Sequence, residues 1–288
     1  MKFKINAVAA AVLAFAALSA NQVLADAAAS PRLFFAGDST LDDAGFSLTG
    51  KIREPYRSWG TMLLDWMKPE CGVANYARSG APTKSFVKSG MWSKLIADVK
   101  SGDFVAIQFG HNDQKRSNEF YRQNRWADPD GLFREIVRGW VKDVRAKGAT
   151  PLLLSPICRA TFDAEGKKLQ DKAKGGKNAK PVNLRSYRDA MRELSVELGC
   201  DYVDMNGLTR QLMESIGRDE SYKFFVISTG IVKGKDGEPS RDTTHPIEAG
   251  AKAFAKLFVD DVKKRNLPVA KLFRDDGVVS VRYAPKAK

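Results

Sequence analysis

The sequence predicts a three-layer α/β/α fold built on a central, parallel five-stranded sheet. Two observations carry this expectation: short, continuously apolar segments recur along the chain, and amphipathic segments with helical spacing separate them. Strands without polar alternation are what a parallel sheet covered by helices on both faces requires. Ligands in such doubly wound folds bind beyond the carboxyl ends of the strands.

The elements follow in order. Residues 1–25 stand apart as a secretory signal peptide: Lys2 and Lys4 precede the apolar run Ala7 to Leu18, and Val23-Leu24-Ala25 offers a cleavage site. The run is short for a bilayer span, so a membrane anchor is the minor alternative. Residues 26–288 then form one domain, secreted or periplasmic, without a membrane span after signal removal. Arg32 to Ser39 holds the first strand, Leu33-Phe34-Phe35-Ala36, closed by Gly37. Trp59, Met62, Leu63, Trp66 and Met67 mark the core face of a helix. Val73 to Ala77 is the second strand and Trp92 to Lys100 a helix. Phe104 to Phe109 is the third strand, ending in Gly110. A helix follows through Leu132, Phe133, Ile136, Val137, Trp140, Val141 and Val144. Leu152-Leu153-Leu154 is the fourth strand, Leu184 to Leu198 a helix, and Tyr202 to Met205 the fifth strand; Phe254, Leu257, Phe258 and Val262 mark a last helix. Two stretches, 159–181 and 221–244, carry little periodicity. Loops of that length are uncommon unless functional or mobile, so they are candidate rims of a substrate cleft or plain surface insertions.

The net charge is +13, two units of it from Lys2 and Lys4. A basic surface suits nucleic acid, anionic lipid or an acidic polysaccharide, and export argues against nucleic acid; charge without substrate meaning is the alternative. Cys71, Cys158 and Cys200 are odd in number and lie at separated strand ends, so no bridge is expected. No cysteine or histidine cluster suggests a metal. Residues 45–51 imitate a phosphate-binding loop, but Ile52 stands where Ser or Thr is required. No Gly-x-Ser-x-Gly elbow occurs.

Only two histidines, His111 and His245, are available as a neutral-pH base. In Asp242-Thr243-Thr244-His245, the aspartate can turn back onto Nδ1 and leave Nε2 for a nucleophile. Ser39, in Gly37-Asp38-Ser39-Thr40, falls at the carboxyl edge of the first strand, where its backbone N–H can face an oxyanion. Helix capping by Asp38 or Ser39 is the competing reading. Asn112, in Gly110-His111-Asn112-Asp113, can offer a side-chain N–H, and Gly80, after the second strand, a backbone N–H. One nucleophile, one base and three donors thus converge from different strand ends.

These segments resemble a known family. Gly37-Asp38-Ser39, Gly80, Gly110-His111-Asn112-Asp113 and Asp242-x-x-His245 match, in order, the four sequence blocks of the SGNH/GDSL hydrolases. Residues 102–114, Lys147-Gly148-Ala149-Thr150-Pro151 and Thr244-His245 with Gly250-Ala251-Lys252 further resemble rhamnogalacturonan acetylesterases (carbohydrate esterase family twelve). The resemblance implies a flavodoxin-like hydrolase without metal or organic cofactor. Ser39 is then the nucleophile, Asp242 and His245 its triad partners, and Ser39 N–H, Gly80 N–H and Asn112 the oxyanion hole. His111 orders the loop rather than acting as the base. Gly80-Ala81-Pro82 stands where the acetylesterase group usually carries Gly-Arg-Ser, which leaves the sugar open. The expected substrate is acetylated pectic polysaccharide, whose uronates suit a basic surface, with Lys84, Lys115, Arg116 and Trp126 on candidate rim loops, and the expected state is monomeric. Acetylxylan and lipid or thioester acyl groups are alternative substrates; an exported carbohydrate-binding protein without catalysis is the alternative of another class.

Overall fold

A computed structural model describes residues 30–42, 55–171, 182–231 and 237–275. The N-terminal segment read as a signal peptide and the phosphate-loop imitation at 45–51 lie outside the described residues. Five strands, β1 (Arg32–Gly37), β2 (Gly72–Asn75), β3 (Phe104–Gln108), β4 (Thr150–Leu154) and β5 (Asp201–Val203), form one sheet in the order β2-β1-β3-β4-β5. Every neighbouring pair is parallel.

Side-chain alternation along β1 feeds two cores. Leu33 and Phe35 join Trp59, Phe254 and Phe258 on one face; Phe34 and Ala36 join Phe86, Trp92 and Trp140 on the other. The first face is covered by α1 (Trp59–Met62), α7 (Met205–Tyr222) and α8 (Glu248–Lys264). The second is covered by α2 (Thr83–Lys88), α3 (Met91–Asp98), α5 (Leu132–Ala146) and α6 (Leu184–Leu198). A further short helix, α4 (Glu119–Asn124), buries none of its residues.

Several elements differ from the sequence expectation; the fifth strand, for one, runs Asp201–Val203, and Met205, expected within it, opens α7. The apolar spacing from Trp59 to Met67 is only four residues of α-helix, tightening into a 3₁₀ turn over Leu63–Asp65. The turn still buries Trp59, Leu63 and Met67 on one side, because i and i+4 share a face. Residues 39–41 after β1 form a turn, not the start of a helix. An 18-residue helix, α7, occupies a stretch with no strong apolar period; it kinks at Gly217 (φ 78°). The three cysteines are free.

In the 2-1-3-4-5 order the chain reverses direction across the sheet between β1 and β3. The carboxyl ends of those two strands open a crevice that no crossover covers. The register sets Gly37 beside Gln108 there.

Candidate active site

Ser39 is the second residue after β1, on a turn whose shape is fixed by buried polar groups. Asp38 is fully buried; its Oδ1 accepts from Thr40 N (3.0 Å) and Thr40 Oγ1 (2.9 Å). Leu41 N and Asp42 N both donate to Asp38 O. Asn75 Nδ2 on β2 donates to Leu41 O, and Asp42 Oδ2 accepts from Ser79 N at 2.7 Å. The chain passes so tightly that a Cβ on Gly37 would sit 2.5 Å from Leu41 Cδ1 and 3.2 Å from Gln108 O, so a larger residue there would force Leu41 to shift. Asp38 therefore caps its own turn rather than a helix, and Ser39 is left at its apex.

His245 lies 206 residues further on, and its Nε2 is 2.8 Å from Ser39 Oγ. Its Nδ1 is 2.7 Å from Asp242 Oδ2. The loop carrying both is folded by Asp242 itself, whose Oδ1 accepts from Thr244 N (2.9 Å) and His245 N (3.1 Å). Three other segments suture it: Arg57 N donates to Pro246 O, Ala160 N to Thr243 O, and Val226 N to His245 O. Tyr56 packs edge-on against the imidazole, ring centres 5.4 Å apart. Burial pushes the Asp242 carboxyl up, but the His245 hydrogen bond and charge and the two backbone N–H groups outweigh it and bring the group to about 2. Asp242 is thus anionic at neutral pH.

The two loops that complete the crevice are cross-braced. Asp113, fully buried after β3, accepts from Thr83 N (2.8 Å), Thr83 Oγ1 (2.6 Å) and Gly110 N (3.1 Å). Asn112 Nδ2 donates to Ala81 O at 3.3 Å. Gly80 holds φ 76°, which favours glycine. Gly110 has φ 139°, and a Cβ there would come within 3.1 Å of Pro156 and Tyr187. His111 is buried beside these groups. Burial, then the charges of Arg159, His245 and Lys115, hold it well below the usual histidine range, so it is neutral.

The structure therefore brings Ser39, Asp242 and His245 into one hydrogen-bonded line, and sets Gly80 and Asn112 on adjoining loops. Tyr56 and Arg125 carry no sequence signal: spatial proximity to His245 reveals the first, and contact with Gly80 and Asn112 the second. Of the rim residues, Arg116 lies over the Trp126 ring at 4.4 Å, and Lys84 reaches Arg122 O at 3.4 Å.

Residues 33–258 match the GDSL-like Lipase/Acylhydrolase family. The chain belongs to this family. Among curated relatives of this GDSL-like acylhydrolase is rhamnogalacturonan acetylesterase RhgT of Bacillus subtilis (strain 168), 30% identical over 83% of this chain and 92% of the relative. Probable rhamnogalacturonan acetylesterase YesY of the same organism is 26% identical over 82% of this chain and 94% of its own. Axe2, an acetylxylan esterase from Geobacillus stearothermophilus, superposes with TM-score 0.55 at 17% identity, covering 81% of this chain and 94% of that one; this likeness is one of fold. Among the described residues, no helix of this GDSL-like acylhydrolase is long and apolar enough to cross a membrane.

Proposed function

We propose that this GDSL-like acylhydrolase is an exported serine acetylesterase acting on acetylated, acidic cell-wall polysaccharide of the rhamnogalacturonan class. The observation that carries this reading is the unbroken Ser39–His245–Asp242 line of hydrogen bonds. Ser39 Oγ attacks the acetyl carbonyl while His245 Nε2 takes its proton, and Asp242 stabilises the imidazolium. Ser39 N–H, Gly80 N–H and an N–H of Asn112 receive the oxyanion; each such donor is typically worth about 3 kcal/mol. As the tetrahedral intermediate collapses, His245 returns the proton to the departing sugar oxygen. Water, deprotonated by His245, then attacks the acetyl-enzyme and releases acetate.

The names of the relatives support the sugar class. So do the cations Lys115, Arg125 and Arg159, which stand near Asn112, Gly80 and His111. Ser39→Ala should abolish hydrolysis of a small aryl acetate, by about 10⁶-fold if the triad acts as a unit, with an unchanged melting temperature. Retained activity would remove Ser39 as nucleophile. Acetate release should be greater from acetylated pectic polysaccharide than from acetylxylan. Preference for long-chain esters would overturn the polysaccharide reading. Sequencing the N-terminus of protein recovered from the periplasm or medium of a bacterial host should find cleavage after Ala25; an intact Met1 would overturn export by signal cleavage.

A further inference from the structure

The segment Gly80-Ala81-Pro82 carries no cation of its own, and the fold supplies one from 45 residues away. Arg125 closes α4. Its Nη1 donates to Gly80 O at 3.0 Å and to Asn112 Oδ1 at 2.9 Å. Lys115 Nζ donates to the same Asn112 Oδ1 at 2.8 Å. The guanidinium also lies over the Tyr121 ring, 5.4 Å from its centre, and the main-chain N–H groups of Arg125 and Trp126 both bond to Tyr121 O. Arg125 thus reaches the crevice from a turn that is itself tied down. It lies directly beside Gly80: a Cβ placed there would be 3.7 Å from Nη2 and 3.8 Å from Nη1.

We propose that Arg125, assisted by Lys115, is a positioning residue of the oxyanion hole. This rests on the oxyanion role of Asn112 proposed above. A carboxamide has one accepting oxygen and one donating nitrogen of almost equal size, so its neighbours decide which way it points. Two cations on Oδ1 fix that choice and turn Nδ2 to the opposite side. There one N–H serves Ala81 O, which leaves the second for an oxyanion. Charge-assisted bonds are roughly twice as strong as neutral ones, and they draw electron density from the amide, making its N–H a better donor. The bond to Gly80 O anchors the guanidinium against the loop after β2.

The test uses a small neutral aryl acetate, so that no substrate carboxylate is present. Arg125→Ala should lower kcat roughly tenfold with KM changed less than about twofold, a fraction of the 10²–10³ that losing a whole donor costs. Arg125→Lys, or millimolar guanidinium added to Arg125→Ala, should restore part of the loss. In an Asn112→Ala background, removing Arg125 should cost almost nothing further, because its action passes through Asn112. Should Arg125→Ala lack a cooperative melting transition, Arg125→Gln, which keeps a donor and drops the charge, takes its place. An equal loss in both backgrounds would overturn the positioning role while leaving the oxyanion hole standing. An effect confined to KM on acidic glycans would overturn it too and make Arg125 a substrate-carboxylate ligand. Full activity of Asn112→Ala would overturn the oxyanion reading itself.

Discussion

Two carboxylates in the site loops are driven in opposite directions by their surroundings. Asp242 is brought to about 2 by His245 and backbone donors acting against burial. Asp113 is pushed up to about 7 by burial, which the bonds from Thr83 only partly offset; the nearby Asp38 pushes the same way. Linkage turns these shifts into opposite pH dependences of stability. The stabilising effect of Asp242 is complete above its ordinary value of 3.8 and is lost as pH falls through about 2. That of Asp113 is complete below 3.8 and is lost as pH rises through about 7. Denaturant unfolding across pH should therefore show Asp242→Asn flattening the acid slope and Asp113→Asn flattening the decline between about 4 and 7. A variant with the wild-type slope in its own window would refute the corresponding shift. At this scale much was legible. Histidine is scarce, so the base search was short, and Asp242-x-x-His245 is a local fold whose contacts span three residues. Arg125 was not legible, because its partners lie 45 and 13 residues away and it stands on a helix with no buried face to flag it.

The strands and the long helices α5 and α6 follow from apolar pattern because their neighbours are apolar. Helix α7 escaped the same reading for a definite reason: much of its buried face is polar. Asn206, Thr209 and Ser221 are buried, and each donates a hydrogen bond: Asn206 Nδ2 to Pro156 O, Thr209 Oγ1 to Met205 O, Ser221 Oγ to Gly217 O; Asn206 Oδ1 is left without a partner among the described residues. Such a face leaves no 3.6-residue apolar period to detect. Helix α8 bears on the proposed triad through its first turn. Ile247 N donates to Phe224 O, and Gly250 packs so closely on residue 224 that any Cβ would collide with that carbonyl. Gly250→Ala should destabilise the protein by about 1–3 kcal/mol through overpacking. It should also lower kcat, since the His245 loop is bonded to residues 226 and 227 just beyond. Calorimetry and steady-state kinetics on one preparation check both; an unchanged melting temperature would show that the contact is slack.

The whole molecule carries +13, and several of its arginines are engaged with carboxylates on the helical faces, such as Arg134 with Glu193 and Arg138 with Glu197. Exposed pairs of this kind contribute little to stability; under the function proposed above, the excess positive charge acts as a field on an acidic substrate. Raising ionic strength from about 10 mM to 0.5 M shrinks the screening length from about 30 Å to under about 5 Å. KM for a polyuronate acetyl ester should rise accordingly, while kinetics on a neutral aryl acetate stay level. A parallel change in both substrates would remove the field from the account.

The proposed nucleophile and base come from the turn after the first strand and from a loop 206 residues later, and that loop is held by backbone bonds to residues 57, 160 and 226. None of these anchors is close in sequence to the histidine. Ester hydrolysis thus appears only when the two ends of the described chain have closed on each other, among the contacts of longest sequence separation, which cost most loop entropy and are expected late in folding. During refolding, activity should lag the recovery of helical signal, and in rising denaturant it should be among the first properties to go. The enzyme reports on its own completion.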